Sequence, residues 1–427
     1  MKVLLTAIGS PGDINPVLAV GQALQARGHD AVMLVNPYFE ASVRRAGLGF
    51  MPLGTDAQLR RLNQTAFMQN PARRSGQREL VLPNVELLLK ALDHALRTDP
   101  PDLVVYHQLS LGAPWVCQRY GVPAAAITLS PLAWMSREDG SIHSRTGSRD
   151  TPPRWLLSLQ LALADTFLRW TLDRELNRLR RRYGYPPGER FFQDHIRNCS
   201  LNLGLWSPLL RGPMPDDPPN GRICGFTWQD GGRDVGTLDA ETRTFLDAGE
   251  PPIVFSMGTS VVSSIGNFYE VAAAACERLG RRGLLLVGVD KNTPKSLPPE
   301  VKALHFAPHS LIFPRACVNV IHGGAGTTAQ ALRAGKPALV IPIAFDQYDN
   351  AARVKRLGVS RTLWKEHVTP VFLAQRLGAL LENPGAARRA AALGAAVRRE
   401  DGAARAATLL EDLIAARQPE EACARAR

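Results

Sequence analysis

Two short runs gather histidine, aspartate, glycine and hydroxyl residues in patterns that suit binding and proton transfer. In VNVIHGGAGTTAQALRAGKPALVIPIAFDQYDNAARVKRLG (318–358) an aliphatic run delivers His322. Gly323, Gly324 and Gly326 then let backbone amides approach an anion, and Thr327 and Thr328 open a helical stretch. A helix start points amides and a positive dipole at the same place, so the run reads as a pyrophosphate cradle. No lysine follows the glycines, which argues against a Walker loop and ATP hydrolysis. After the next aliphatic run, Asp346 and Gln347 offer paired acceptors and donors that suit sugar hydroxyls. The second run is Gly9-Ser10-Pro11-Gly12-Asp13. It lacks G-x-G-x-x-G, and the strand after it ends at Asn36 rather than at an acid, which disfavours NAD or FAD. On this loop alone Asp13 is either a catalytic carboxylate or a helix-capping acid.

Around these two runs the chain alternates between short aliphatic segments and helical stretches. KVLLTA (2–7), the helical VLAVGQALQAR (17–27) and AVMLV (31–35) read as strand, helix and parallel strand. LVVYH (103–107), a helix over 112–121 and AAAITL (124–129) repeat the alternation. A Pro/Asp/Gly-rich passage at 208–226 breaks it, and a second series follows with strands at 253–257, 284–289, 318–321 and 338–343. The expected organisation is an N-terminal doubly wound domain over 1–213 with a helical insertion at about 151–200. A linker over 214–235, a second domain over 236–398 and a terminal helix over 399–427 complete it, the helix being free to return to the first domain. Open parallel sheets bind ligands at the carboxyl ends of their strands, so the active site is expected in the cleft between the two domains.

Composition removes several other classes. Apolar residues at 45% and charged residues at 21% fit an ordinary globular chain rather than a disordered or fibrous one. Cys117, Cys199, Cys224, Cys276, Cys317 and Cys423 show no metal-ligand or disulfide-framework spacing, which fits a reducing cytoplasm. No run approaches the roughly 18 apolar residues of a membrane span, so the protein is expected to be soluble or membrane-peripheral. The formal charge of +12 is mostly arginine, gathered at 168–184 and in the last forty residues. With no recognition motif beside it, nucleic-acid binding is not expected.

HGGAGTT with DQ downstream resembles the donor signature of the inverting enzymes of the UDP-glycosyltransferase superfamily. Gly12-Asp13 in the first loop is similar to its bacterial antibiotic, sterol and rhamnolipid branch. AIGSPGDINP and FDQYDNAARVKRLG are most similar to rhamnosyltransferases of rhamnolipid synthesis. The resemblance implies a GT-B fold, an α/β architecture of two facing Rossmann-like doubly wound parallel-sheet domains. It also implies a UDP- or dTDP-sugar as co-substrate, with no cofactor and no metal.

Carried over at matching positions, the resemblance puts His322 on the donor diphosphate, and Gly324, Gly326 and Thr327 on phosphate oxygens. Asp346 and Gln347 hold sugar hydroxyls. Phe306-Ala307-Pro308-His309 stands where the family has Trp-Ala-Pro-Gln, so Phe306 would stack on the base with His309 beside it. SMGTS (256–260) brings Gly258 and Thr259 near the phosphates, and Gly12 belongs to the first loop's donor contacts. Many relatives carry a His in the first loop oriented by an Asp at the end of the strand that here reads PDLVVYH. Here Asp13 occupies the loop and His107 the strand end, which implies a swapped pair in which Asp13 takes the acceptor proton and His107 orients it or shares the proton.

The insertion repeats apolar residues at helical spacing, Trp155, Leu156, Leu159, Leu163, Phe167 and Trp170, with Arg174, Arg178, Arg181 and Arg182 beyond them. Such a face either packs on the domain or stays exposed. If exposed, Trp155 and Trp170 would bind an amphipathic acceptor, with the arginines toward a carboxylate or anionic headgroups. A glycosidase is disfavoured because no second acid pairs with Asp13 in the sequence. A GT-B-type epimerase and a non-catalytic sugar-nucleotide binder remain as rivals.

Overall fold

The computed structural model describes residues 1–58, 76–139, 153–188, 190–228, 238–258 and 265–425. They form two compact units. The first takes the residues up to 228 together with those from 401 onward, and the second takes 238–400.

The first unit is built on seven parallel strands in the order β3-β2-β1-β4-β5-β6-β7. These are β1 (Lys2–Thr6), β2 (Asp30–Val35), β3 (Gly49–Pro52), β4 (Leu103–His107), β5 (Ala124–Thr128), β6 (Leu201–Gly204) and β7 (Gly221–Ile223). Every residue of β4 and β5 is buried, as expected where helices cover both faces of a parallel sheet and the strands read as unbroken apolar runs. The second unit repeats the design with six parallel strands in the order β10-β9-β8-β11-β12-β13. They are β8 (Ile253–Ser256), β9 (Gly283–Leu286), β10 (Val301–Leu304), β11 (Val318–Ile321), β12 (Ala338–Val340) and β13 (Ser360–Thr362). Its core packs Phe255, Val320 and Leu339 of the sheet against Phe268, Leu373 and Leu377 of the covering helices.

Both sheets reverse strand order once. In the first the reversal falls between β1 and β4, in the second between β8 and β11. Crossovers leave such a pair in opposite directions, so a crevice opens at its carboxyl ends. Those four strand ends carry the loops at 7–10, 108–112, 257–258 and 322–324.

The structure departs from the sequence-based expectations at two places that matter. The stretch 11–16, with two prolines and a glycine, reads as a loop, yet helix α1 (Pro11–Gln25) already starts at Pro11. Proline is well suited to a first turn, where its missing N–H costs nothing, and Asp13 therefore sits inside the helix rather than before it. The expected linker at 214–235 contains β7, which pairs with β6 at the edge of the first sheet. Three residues among prolines and glycines give too short a pattern to register as a strand.

Helix α2 (Arg154–Leu168) runs through a π-helical segment (Arg169–Asp173) straight into helix α3 (Arg174–Arg182). Helices α4 (Ala325–Ala334) and α5 (Gln347–Arg356) belong to the second unit, whereas the terminal helix, α6 (Gly402–Arg425), belongs to the first and packs against α1. Arg27 fastens it, donating to Thr408 Oγ1 at 2.8 Å, Glu411 Oε2 at 2.7 Å and the Ala404 carbonyl at 2.8 Å. Among the described residues no helix is long and apolar enough to cross a membrane.

Candidate active site

In the first unit the crevice joins the end of β1 to the end of β4. The Ser10 N–H and the Ser10 hydroxyl both donate to Asp13 Oδ2, at 2.7 and 2.8 Å. The backbone contact is the reciprocal half of a capping box, so Asp13 does cap its helix. Its other oxygen does not take part. Asp13 Oδ1 lies 3.8 Å from Nε2 of His107, the last residue of β4. At that separation the contact is electrostatic rather than a formed hydrogen bond. The two readings of Asp13 left open by the sequence are thus compatible, one oxygen for each.

His107 is fully buried, and Asp13 is a quarter exposed. Burial holds the imidazole below its ordinary range, opposed by the Asp13 charge and the Ile8 backbone, so the ring is neutral near pH 7. Its Nδ1 accepts the Leu109 N–H at 3.4 Å, which assigns the ring proton to Nε2, the nitrogen facing Asp13. A carboxylate with one unengaged oxygen beside a neutral N–H donor is a competent proton-accepting pair. Gly9 makes the arrangement possible. Its φ is +135°, and a Cβ there would stand 2.3 Å from Asp13 Oδ2. Gly12 is exposed in the first turn of α1, and a Cβ there meets only Ser10 Oγ at 3.5 Å, so nothing in the fold itself demands a glycine.

In the second unit the crevice joins the ends of β8 and β11, and His322 occupies it. The ring is 4% exposed and lies between two stretches of main chain. A Cβ on Gly258 would come within 2.2 Å of His322 Cε1, and one on Gly324 within 2.4 Å of Nε2. Gly258 also has a φ of +67°, which favours glycine independently. Burial, reinforced by the neighbouring His309 and opposed by the Ser256 backbone, pushes His322 down to about 4. It is a neutral donor at physiological pH, and its Nδ1 is buried with no hydrogen-bond partner among the described residues.

Helix α4 starts directly beyond His322, with Gly324 at its N-cap. The bond from Thr328 N–H to the Gly324 carbonyl, 2.9 Å, begins the helical ladder, so the N–H groups of Ala325, Gly326 and Thr327 have no acceptor within the helix. A Cβ at Gly326 would meet nothing within 4 Å, so this glycine relieves no internal contact and leaves its amide bare. A buried neutral imidazole and three outward amides at a helix start make an anion site with donors from two directions. His309 Nε2 lies 2.8 Å from Ser256 Oγ, and its ring stacks on Phe313. Phe306, three residues before His309 in the chain, is 47% exposed. Thr259 lies outside the described residues.

Asp346 and Gln347 stand at the start of α5, but they differ in what they can offer. Gln347 is 2% exposed, and its Oε1 accepts the N–H groups of Ile343 and Ala344 at 2.8 and 3.0 Å. Its carbonyl pins the turn, which leaves the amide nitrogen as its donor toward a ligand. Asp346 Oδ2 accepts from Asn350 Nδ2 at 3.1 Å, and the same nitrogen donates to the Gly323 carbonyl at 2.9 Å. Asn350 therefore ties the Asp346 turn to the glycine loop, a role that its place in FDQYDN did not announce. The fully buried pair Arg353–Asp349, 2.7 Å apart, anchors the helix beneath them. Ser10 is the other residue sequence reasoning passed over; the spacing Ser-x-x-Asp before an apolar run is a capping-box signal that could have marked it. Trp155 and Trp170 belong to neither crevice's strand ends. They lie on α2 and the π segment, 67% and 71% exposed.

The Gly258 contact yields a direct check. Gly258→Ala should lower the stability of the protein by about 1–3 kcal/mol, because a methyl at a positive φ must push into the His322 ring. Urea denaturation measures it; an unchanged midpoint would show that the ring is free to move aside.

Comparison with known proteins gives these two crevices a common meaning. Residues 3–92 match the glycosyltransferase family 28 N-terminal domain, and residues 286–413 match the erythromycin biosynthesis protein CIII-like C-terminal domain. An uncharacterized glycosyltransferase of Mycobacterium leprae is 30% identical over 433 residues, covering 96% of this chain and 97% of its own. O-mycaminosyltylonolide 6-deoxyallosyltransferase of Streptomyces fradiae is 28% identical over 435 residues, again covering 96% and 97%. The solved structure of the spinosyn rhamnosyltransferase SpnG, complexed with thymidine diphosphate, superimposes with a TM-score of 0.65 at 19% identity, covering 96% of this chain and 100% of that one. Two Rossmann-type sheets, a glycine cradle at one reversal point and near end-to-end similarity to glycosyltransferases lead to one conclusion: the chain belongs to the UDP-glycosyltransferase superfamily and is a nucleotide-sugar-dependent glycosyltransferase of GT-B fold.

Proposed function

We propose that this enzyme transfers a hexose or deoxyhexose, with inversion and without a metal, from a UDP- or dTDP-sugar to a hydroxyl of a hydrophobic or amphipathic small molecule. The observation that carries the reading is the division of labour within Asp13, whose Oδ2 is held by Ser10 while Oδ1 faces the neutral His107. Asp13 Oδ1 accepts the proton of the acceptor's hydroxyl as the hydroxyl oxygen bonds to the anomeric carbon. The bond from that carbon to the diphosphate breaks on the opposite side. His107, a donor on Nε2, steadies Asp13 as it loses its charge. His322, the amides of Ala325, Gly326 and Thr327, and the dipole of α4 meet the charge that builds on the leaving diphosphate, which is the work a metal ion would otherwise do. Phe306 stacks on the base with His309 beside it, Gly12, Gly258 and Gly324 let the donor approach the main chain, the resemblance assigns Thr259 to the phosphates, and Asp346 with Gln347 holds sugar hydroxyls.

The choice of a deoxyhexose and of a thymidine nucleotide has support in the relatives, one named for 6-deoxyallosyl transfer and one, a rhamnosyltransferase, complexed with thymidine diphosphate. The acceptor class rests on the exposed apolar side chains of α2. Trp155→Ala or Trp170→Ala should raise the acceptor KM about tenfold at unchanged donor KM. Incubation with a panel of UDP- and dTDP-sugars and hydrophobic alcohols, followed for free nucleoside diphosphate and a glycosylated product, tests the whole reading. Turnover should persist in excess EDTA. A strict divalent requirement would overturn the metal-free mechanism, and nucleotide release without a glycosylated acceptor would favour an epimerase.

A further inference from the structure

From Arg154 to Arg182 the chain is helical throughout, roughly 40 Å at 1.5 Å per residue. Leu157, Leu161, Leu172 and Leu176 lie along its buried side. The opposite side is not polar, as a solvated helix face should be. Trp155, Leu159, Leu163, Phe167 and Trp170 follow one another at three- and four-residue spacings, all exposed, and two of them are tryptophans at the ends of the apolar stretch. The same spacing then continues into Arg174, Arg178 and Arg181, also exposed. Arg174 lies over the Trp170 ring, 5.1 Å from its centroid. Within 154–182 seven arginines stand against Asp165, Asp173 and Glu175. Glu175 takes Arg178 at 2.8 Å, while neither Arg174 nor Arg181 has a carboxylate partner among the described residues.

We propose that this stripe docks the enzyme on an anionic lipid surface, its apolar half entering the acyl boundary and its arginines meeting the headgroup phosphates. Charge complementarity selects this occupant. Tryptophans place their amphipathic rings at a membrane interface, and arginines reach headgroups along apolar stems. A second copy of the chain fits less well. Parallel pairing of two stripes brings arginines against arginines, and antiparallel pairing buries them on leucine and phenylalanine without a counter-charge. The proposal deepens the amphipathic-acceptor reading by naming where such an acceptor is met, and it rests on that reading for this alone.

Co-sedimentation of the full chain with phosphatidylcholine vesicles, and with equimolar phosphatidylcholine and phosphatidylglycerol vesicles, tests it without any sugar transfer. Binding should be confined to the anionic vesicles and should weaken with salt. Leu163→Ser with Phe167→Ser, and separately Arg174→Gln with Arg181→Gln, should each weaken it about tenfold or more. Brominated lipids should quench the unmodified protein's tryptophan fluorescence, and Trp155→Phe with Trp170→Phe should remove most of that quenching, which keeps the test open if a double variant folds poorly. No binding to anionic vesicles, or binding that ignores both pairs of substitutions, would overturn the proposal. So would a change in oligomeric state with vesicle binding intact, since the stripe would then be an interface between copies. Vesicle binding by a protein that releases no nucleotide in the donor panel would uphold the docking surface and sink the transferase mechanism instead.

Discussion

Asp13→Asn should lower kcat by about 10²–10⁴-fold while leaving donor affinity nearly unchanged, since the substitution keeps the shape of the carboxylate and removes its ability to take a proton. Initial rates at saturating donor, beside calorimetric titration with the nucleoside diphosphate, separate the two effects. Near-normal kcat would remove the proton-accepting role. An amide nitrogen turned toward Ser10 would lose the cap, so the variant's thermal midpoint has to be read alongside. The loss of a cap costs about 1 kcal/mol, far too little to imitate the loss of turnover. His107→Ala should cost less than Asp13→Asn, because the imidazole acts through Asp13 rather than on the acceptor. In the double variant the loss should be no greater than in Asp13→Asn alone if the two work as a unit. Fully multiplicative losses would make them independent.

His322→Ala should reduce kcat/KM by about 10²-fold, through weaker donor binding and a slower chemical step, because it removes a donor from the place where the diphosphate gains charge. A loss confined to KM would mean that His322 holds donor and transition state equally and does not speed the chemical step. The same residue leaves a mark on stability. Folded, His322 titrates at about 4 against an ordinary value of 6.5, so between those pH values the unfolded chain takes up a proton that the folded chain refuses. Stability should therefore fall as pH drops from 6.5 toward 4, by on the order of 3 kcal/mol from this group. His107, shifted in the same direction by burial, adds to the fall. His322→Gln should flatten the dependence, and urea midpoints at pH 7 and pH 5 measure the difference. An equally steep dependence in the variant would place its source elsewhere.

Local features are legible in the order of residues. Unbroken aliphatic runs alternating with helical stretches mark eight of the strands, because a parallel strand covered on both faces must be apolar throughout. The run from His322 to Thr327 announces an anion site, because glycines between a strand and a helix leave few other uses for the bare amides. The short strands at or next to the sheet edges escaped notice: β3 reads GFMP, β6 LNLG, β10 VKAL and β13 SRT, and β7 lies among prolines, so their pairing with neighbouring strands is what makes them strands. Tertiary structure alone decided the rest. The division of Asp13's two oxygens depends on where Ser10 and His107 fall in space, and no spacing along the chain encodes it. Gly258 is a glycine because the ring of His322, far along the chain, lies against it. Gln347 looks like a sugar ligand in sequence, yet its carbonyl belongs to a turn. The apolar face of α2 has the same helical period whether it packs inward or faces water, so periodicity could not choose. Exposure could, and it left Trp155, Leu159, Leu163, Phe167 and Trp170 outside, because Leu157, Leu161, Leu172 and Leu176 already occupy the side that packs on the domain.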